Sequence, residues 1–187
     1  MERCSWCGTD PLYVKYHDEE WGVPVHDDRK HFEFLVLESM QAGLSWYIVL
    51  KKRENFRRTF ADFDPWKVAA FGLEKVEELV QDAGIIRNRA KILATINNAA
   101  LFLEVQKEFG TFDKYLWSFV GNKPVINKWE SLSQLPTSTS LSDLISKDLK
   151  QRGFKFLGTT VIYAHMQAIG LVNDHLVNCF RWEEVQV

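Results

Sequence analysis

Apolar residues in this chain recur at helical spacing in one segment after another, and no stretch alternates apolar and polar residues strictly enough for a half-buried strand. That feature predicts an all-α fold. With 187 residues, 46% hydrophobic and 26% charged, the chain can bury one sizeable core, and a single domain over 1–187, with room for two lobes, is the expected organisation. Phe32 to Gln41 is apolar nearly all round, interrupted by Glu33, Glu38 and Ser39. Such a helix has little solvent-facing surface, so Glu38 is expected to be buried. Leu44 to Phe60 predicts a second helix that turns basic through Lys51, Lys52, Arg53, Arg57 and Arg58. Asp64-Pro65 caps a short helix to Ala70, Leu73 to Asp82 follows, and Gly84 is expected to end it in a left-handed conformation. Asn88 to Phe109 and Thr111 to Val120 read as helices, and Gly121 to Ser140 as a surface loop. Leu141 to Gln151 leads into the turn Gly153 to Gly158, and Thr159-Thr160 is expected to cap a last helix over Val161 to Ile169.

Composition narrows the function. No run approaches the roughly 18 apolar residues of a membrane span, and the first residues lack the apolar core of a secretory signal, so a soluble cytoplasmic protein is expected. Lys and Arg total 23 against 25 Asp and Glu, so there is no long-range basic field, and any nucleic-acid contact must be local. Seven Trp, five Tyr and thirteen Phe are many for a core alone, because each Trp and Tyr tip needs a polar partner; the excess points to a stacking surface.

Three groups of residues could carry chemistry. The two glycines of Gly153 to Gly158, with a helix starting at once after the second, expose backbone N–H groups at a helix N-terminus, an arrangement that suits a phosphate. Lys147, Lys150, Arg152 and Lys155 lie around it. Three cysteines exclude a full disulfide framework and suggest metal instead. His175 and Cys179, four apart on a predicted helix, would share one face; with Cys4 and either Cys7 or His17 they complete a tetrahedral zinc site, and C-x2-C spacing favours Cys7. Four protein ligands leave no open position, so such a zinc would pin the terminal segments, about 1–20 and 171–187, and not activate water. Finally, a buried Glu38 together with Tyr13, Tyr16, Trp21 and Trp46 outlines a cavity for a flat, electron-poor or cationic ring.

Several strings, in one order, resemble the family of 3-methyladenine DNA glycosylase I within the helix-hairpin-helix superfamily. They are Met1-Glu2-Arg3-Cys4-Ser5-Trp6, Tyr16-His17-Asp18-Glu19-Glu20-Trp21-Gly22-Val23-Pro24, Gln41-Ala42-Gly43-Leu44-Ser45-Trp46, Leu50-Lys51-Lys52-Arg53-Glu54-Asn55, Val80 to Arg87, Arg152 to Thr160 and Gly170 to His175. The resemblance implies a helix-hairpin-helix fold whose hairpin, through Gly153, Lys155, Gly158 and Thr159, holds a DNA phosphate. It implies one structural zinc on Cys4, His17, His175 and Cys179, against the spacing preference for Cys7. It implies Glu38 as the carboxylate that reads the adenine edge, Tyr16 and Trp46 stacking on the base, and Tyr13 and Trp21 lining the pocket. The implied activity is monofunctional excision of 3-methyladenine from double-stranded DNA by a monomer, with Gln41, Gly43 and Leu44 as a wedge for the vacated stack. The family has neither the catalytic aspartate nor the lysine nucleophile of related glycosylases; Asp174 adjoins the candidate ligand His175 and is expected to be structural. Two rivals are a non-catalytic zinc-stabilised DNA-binding module and a zinc hydrolase.

Overall fold

A computed structural model describes residues 2–186; the outermost residues of the expected 1–187 domain lie outside that range. Ten helices account for most of it: α1 (Pro11–Glu19), α2 (Asp28–Gln41), α3 (Trp46–Thr59), α4 (Pro65–Ala69), α5 (Leu73–Gln81), α6 (Arg89–Phe109), α7 (Phe112–Ser118), α8 (Ser140–Gln151), α9 (Thr159–Ala168) and α10 (Arg181–Glu184). The all-helical expectation needs one correction. Two short strands, β1 (Val125–Ile126) and β2 (Val172–Asn173), pair in parallel with Val125 opposite Val172, and a further bridge joins Trp129 to Leu176. Two residues are too few for an alternating pattern to show.

Helix α2 is the axis of the core. Every residue from His31 to Met40 is buried, and α3, α6, α7 and α9 pack around it. It starts four residues before the expected Phe32, because Asp27 caps it by accepting from the Lys30 N–H at 2.8 Å. Asp64 caps α4 as expected. Three other expectations fail on local geometry. Gly84 has no left-handed backbone; a Cβ there would lie 1.9 Å from the Asn55 amide nitrogen, so the Asn55 side chain would have to move. Thr159 does not cap α9; Gly158 takes that place, and the Thr159 hydroxyl instead bonds Ser142 Oγ at 2.7 Å. His175 and Cys179 are not helical but lie in the turn that follows β2.

Part of the basic run of α3 is spent on partners within the molecule, while Lys51 and Arg58 stay exposed. Arg53 is buried and donates to Glu33 and Glu20, each at 2.8 Å, and Arg57 joins it on Glu33. Lys52 caps the Ala83 carbonyl at 2.7 Å. No helix among the described residues is long and apolar enough to cross a membrane.

Candidate active site and metal centre

A cavity of about 290 Å³ opens where the N-terminal segment meets α2, α3 and α9. Its size is near the lower end for ligand sites, the scale of a single flat ring. Tyr13, Tyr16, Trp21, Glu38, Gln41 and Trp46, all singled out in the sequence, line it, together with Trp6, Leu132, Leu135, Ala164 and Gln167, which were not. Trp6 is the hub of the aromatic wall: its ring lies 5.1 Å from Tyr13 and 5.0 Å from Trp21, edge to face. Tyr16 lies 5.3 Å from Trp46, which stacks in turn on Phe34.

Glu38 stands near the C-terminal end of α2, and only 4% of it is exposed. Burial alone pushes its carboxyl up to about 8, with no cation or hydrogen bond pulling it back. Buried carboxylates elsewhere in the chain are treated differently. Glu33 is held below the usual carboxylate range by Arg53 and Arg57 despite its burial. Asp174 accepts from Asn127, Trp129, Tyr163 and Gln167 at 2.5 to 2.8 Å. With four donors on it, Asp174 is a structural knot, as expected. Glu38 is left free toward the aromatic cavity.

Behind that wall, Cys4, His17, His175 and Cys179 bring one ligand atom each to within 4.8 Å of one another, all buried. Cys179 Sγ lies 3.5 Å from His17 Nε2 and 3.6 Å from His175 Nδ1, and Cys4 Sγ lies 3.6 Å from His175 Nδ1. Tetrahedral coordination at usual bond lengths separates sulfur from nitrogen ligands by roughly 3.6 Å, so the four could hold a metal ion. The remaining ring nitrogens are already engaged: His17 Nδ1 with Asp18 at 2.7 Å, His175 Nε2 with the Trp21 carbonyl at 2.9 Å. That fixes which nitrogen of each ring faces the ligand set. The hydrogen bond from Cys4 holds the Cys179 thiol well below its ordinary range, and both histidines add to this. Cys7, the ligand that spacing favoured, is outside the set; its thiol donates to the Cys4 carbonyl at 3.2 Å.

The Gln41–Leu44 segment, expected to act as a wedge, and the Gly153–Gly158 turn are both at the surface. Leu44 N–H closes a turn onto the Gln41 carbonyl, with Ala42 at φ −47°, ψ 116° and Gly43 at φ 85°, as in a type II turn; Leu44 is 39% exposed. In the hairpin, Phe154 and Leu157 are buried while Gly153, Lys155 and Phe156 are exposed. The first intrahelical bond of α9 runs from Ile162 N–H to the Gly158 carbonyl, so the N–H groups of Thr159, Thr160 and Val161 precede it. Gly158 has an ordinary backbone, and a Cβ there would meet nothing within 4 Å. Arg152 does not serve the hairpin: it is bonded to Glu108 and Asp148.

The profile of the methyladenine glycosylases matches residues 6–182. The chain belongs to the methyladenine glycosylase family. It is 58% identical to DNA-3-methyladenine glycosylase 1 of Escherichia coli (strain K12) over 179 residues, 96% of each chain. A crystal structure of 3-methyladenine DNA glycosylase I matches with a TM-score of 0.93 at 54% identity, covering 96% of this chain and 98% of that one. A variant of such a glycosylase, solved in complex with 3-methyladenine, matches with a TM-score of 0.94 at 37% identity, covering all of this chain and 98% of that one.

Proposed function

We propose that this methyladenine glycosylase excises 3-methyladenine from duplex DNA by hydrolysing its N-glycosidic bond, leaving an abasic site. The observation that carries the reading is Glu38, the buried carboxyl that no donor in the protein satisfies, set among Trp and Tyr faces. Methylation at N3 makes the adenine ring cationic and weakens its bond to deoxyribose. The base then departs neutral and needs little acid assistance, so recognition does most of the catalytic work. The aromatic faces of Tyr16, Trp46, Tyr13 and Trp21 attract the cation, and Glu38 accepts from its edge. Unmodified adenine is neutral and gains less from either. The attacking group is water, and no residue is assigned as a lyase nucleophile.

Gln41, Gly43 and Leu44 fill the gap left by the flipped nucleotide, and the helix-hairpin-helix segment holds a phosphate through Gly153, Lys155, Gly158 and Thr159. The open space over Gly158 supports this, because neither strain nor a neighbouring protein atom requires glycine there. Zinc fits Cys4, His17, His175 and Cys179: two sulfurs and two imidazole nitrogens at tetrahedral spacing, each imidazole oriented by a second partner. It would join the terminal segments of one domain. We place the protein in the cytoplasm, where three free thiols persist, and as a monomer, since reading one flipped base needs no second subunit.

The test is incubation with methylated duplex DNA and identification of the released base. Free 3-methyladenine with intact strands is expected. Release by Glu38→Gln at the wild-type rate would remove Glu38 from the site; DNA binding without release by the wild type would leave only a binding module.

A further inference from the structure

Helix α6 touches both surface segments assigned above to DNA, and it does so through two buried polar side chains that the chemistry at the base does not use. Lys91 is 6% exposed, and its ammonium donates to the carbonyls of Met40 at 2.9 Å and Ala42 at 2.7 Å. Those carbonyls end α2 at the point where the chain enters the Gln41–Leu44 turn. A cation there answers the helix dipole and the orphan carbonyls together. No carboxylate among the described residues pairs with Lys91. A lysine buried without a counter-ion is a costly way to cap a helix that a glycine or a solvated side chain would also end. What the lysine adds is a tether between α6 and the wedge.

Seven residues later, Asn98 does the same for the hairpin. Its amide donates to the Lys155 carbonyl at 2.8 Å and accepts from the Lys155 N–H at 2.9 Å, a two-point clamp on the backbone of one residue. Asn97 adds a bond to the Gly153 carbonyl at 3.1 Å. Seven residues are two turns, about 10.5 Å along the axis, and return to nearly the same face of the helix. The wedge and the hairpin are about 110 residues apart in sequence, and residues 42–44 and 153–158 lie outside the helices and strands.

We propose that α6 is a spacer that fixes the wedge relative to the phosphate-holding hairpin, with Lys91 and Asn98 as its two positioning residues. The proposal rests on the assignment of Gln41–Leu44 and Gly153–Gly158 to DNA. A wedge displaced by an ångström misses the gap in the stack while the hairpin still grips the backbone; a displaced hairpin weakens the grip while a seated wedge still works. The two substitutions therefore act on different kinetic constants; Asn98 does not line the base pocket, and Lys91 borders it only through the backbone on either side of Gln41.

The experiment compares Lys91→Met, Asn98→Ala and Leu44→Ala with the wild type. It measures single-turnover release of 3-methyladenine from methylated duplex and methylated single strand, and affinity for the free base by tryptophan fluorescence. Lys91→Met is expected to slow saturated release from duplex at least tenfold, with a smaller loss on single strand, where no stack must be opened. Asn98→Ala is expected to raise the half-saturating duplex concentration at least fivefold, with a smaller effect on the saturated rate. Free-base affinity should stay within twofold of wild type in both. Should Lys91→Met fail to fold, Lys91→Gln, which keeps one donor, carries the same comparison. Equal losses of duplex release and free-base affinity would show a merely structural role and overturn the proposal, as would a wild-type duplex rate in Lys91→Met while Leu44→Ala is slow. A fast Leu44→Ala would instead refute the wedge itself and its tether with it. A wild type that releases no base would refute the glycosylase reading.

Discussion

The state of Glu38 sets a pH profile that the structure lets one calculate. Moving its carboxyl from 4.5 to about 8 weighs against the ionised form by about 5 kcal/mol. In the free enzyme at pH 7, about one molecule in ten then carries the carboxylate, and at pH 9 about nine in ten do. If the carboxylate is the form that receives the cationic base, kcat/KM for excision, which reports the free enzyme, should rise about tenfold between pH 7 and pH 9. The nearby phenols cannot imitate this, because burial pushes Tyr16 well above 10 and Tyr13 upward as well. Glu38→Gln should abolish the rising limb and lower the plateau by about 10²- to 10³-fold, the usual range for one preorganised electrostatic partner. The assay is release of 3-methyladenine from methylated duplex under kcat/KM conditions from pH 6 to 9, with substrate integrity checked at each pH. A flat wild-type profile, or an unchanged limb in Glu38→Gln, would refute the reasoning.

Four further outcomes are expected. Gly158→Ala should cost no more than about 1 kcal/mol in stability, the N-cap preference for Gly over Ala, since its Cβ meets no protein atom, yet weaken binding to duplex at least fivefold; unchanged affinity in a filter-binding assay would count against close phosphate approach. Gly43→Ala meets no neighbour either but must adopt φ 85°, so it should cost about 1 kcal/mol in denaturant unfolding. His165 is fully enclosed, and burial lowers its pKa to about 3, so the native state keeps it neutral. Its contribution is complete above the unfolded value near 6.5 and declines as pH falls toward 3, amounting to about 3 kcal/mol lost by pH 4; unfolding of His165→Leu should show a shallower acid dependence. Chelation of a bound metal should lower the melting temperature and expose the segments near Cys4 and Cys179 to protease, whereas a folded, protease-resistant but inactive protein would point to a catalytic ion.

Much of the helical framework was legible because burial leaves a period in the sequence. The all-round apolar stretch of α2 makes Glu38 an anomaly in the sequence itself. Asp-Pro pairs mark two helix starts: Asp64-Pro65 at α4 and Asp10-Pro11 at α1, where Asp10 accepts from the Leu12 N–H at 3.0 Å and begins the helix that carries Tyr13, Tyr16 and His17. The missing pocket walls are of another kind. Leu132 and Leu135 sit in a polar loop, and Ala164 and Gln167 on an apolar helix, so nothing local marks them; tertiary placement alone brings them to the cavity. Charge misled for a related reason. A linear run such as that of α3 does not show that Glu20 and Glu33, distant in sequence, engage Arg53 and Arg57. His17 over Cys7 was likewise beyond spacing, which favours a local turn over a ligand thirteen residues away.

The four possible metal ligands and the aromatic cavity share the same short segment. Tyr16 faces the cavity and His17, the next residue, faces the ligand set; Trp21 presents its ring to the cavity and its carbonyl to His175. Gly22, at φ 79°, lets the chain pass so close that a Cβ would lie 2.9 Å from His175 Nε2, and a Cβ on Gly170 would lie 2.4 Å from the Val23 carbonyl carbon. Such contacts leave little room to shift one wall without the other. Glu38, by contrast, is anchored in α2, which takes no part in the ligand set. Loosening the four ligands should therefore disorder the aromatic side of the pocket first and leave its acid in place. On the proposed reading of the site, the protein would lose the discrimination that ring faces give between charged and neutral bases before it loses the carboxyl proposed to read their edge.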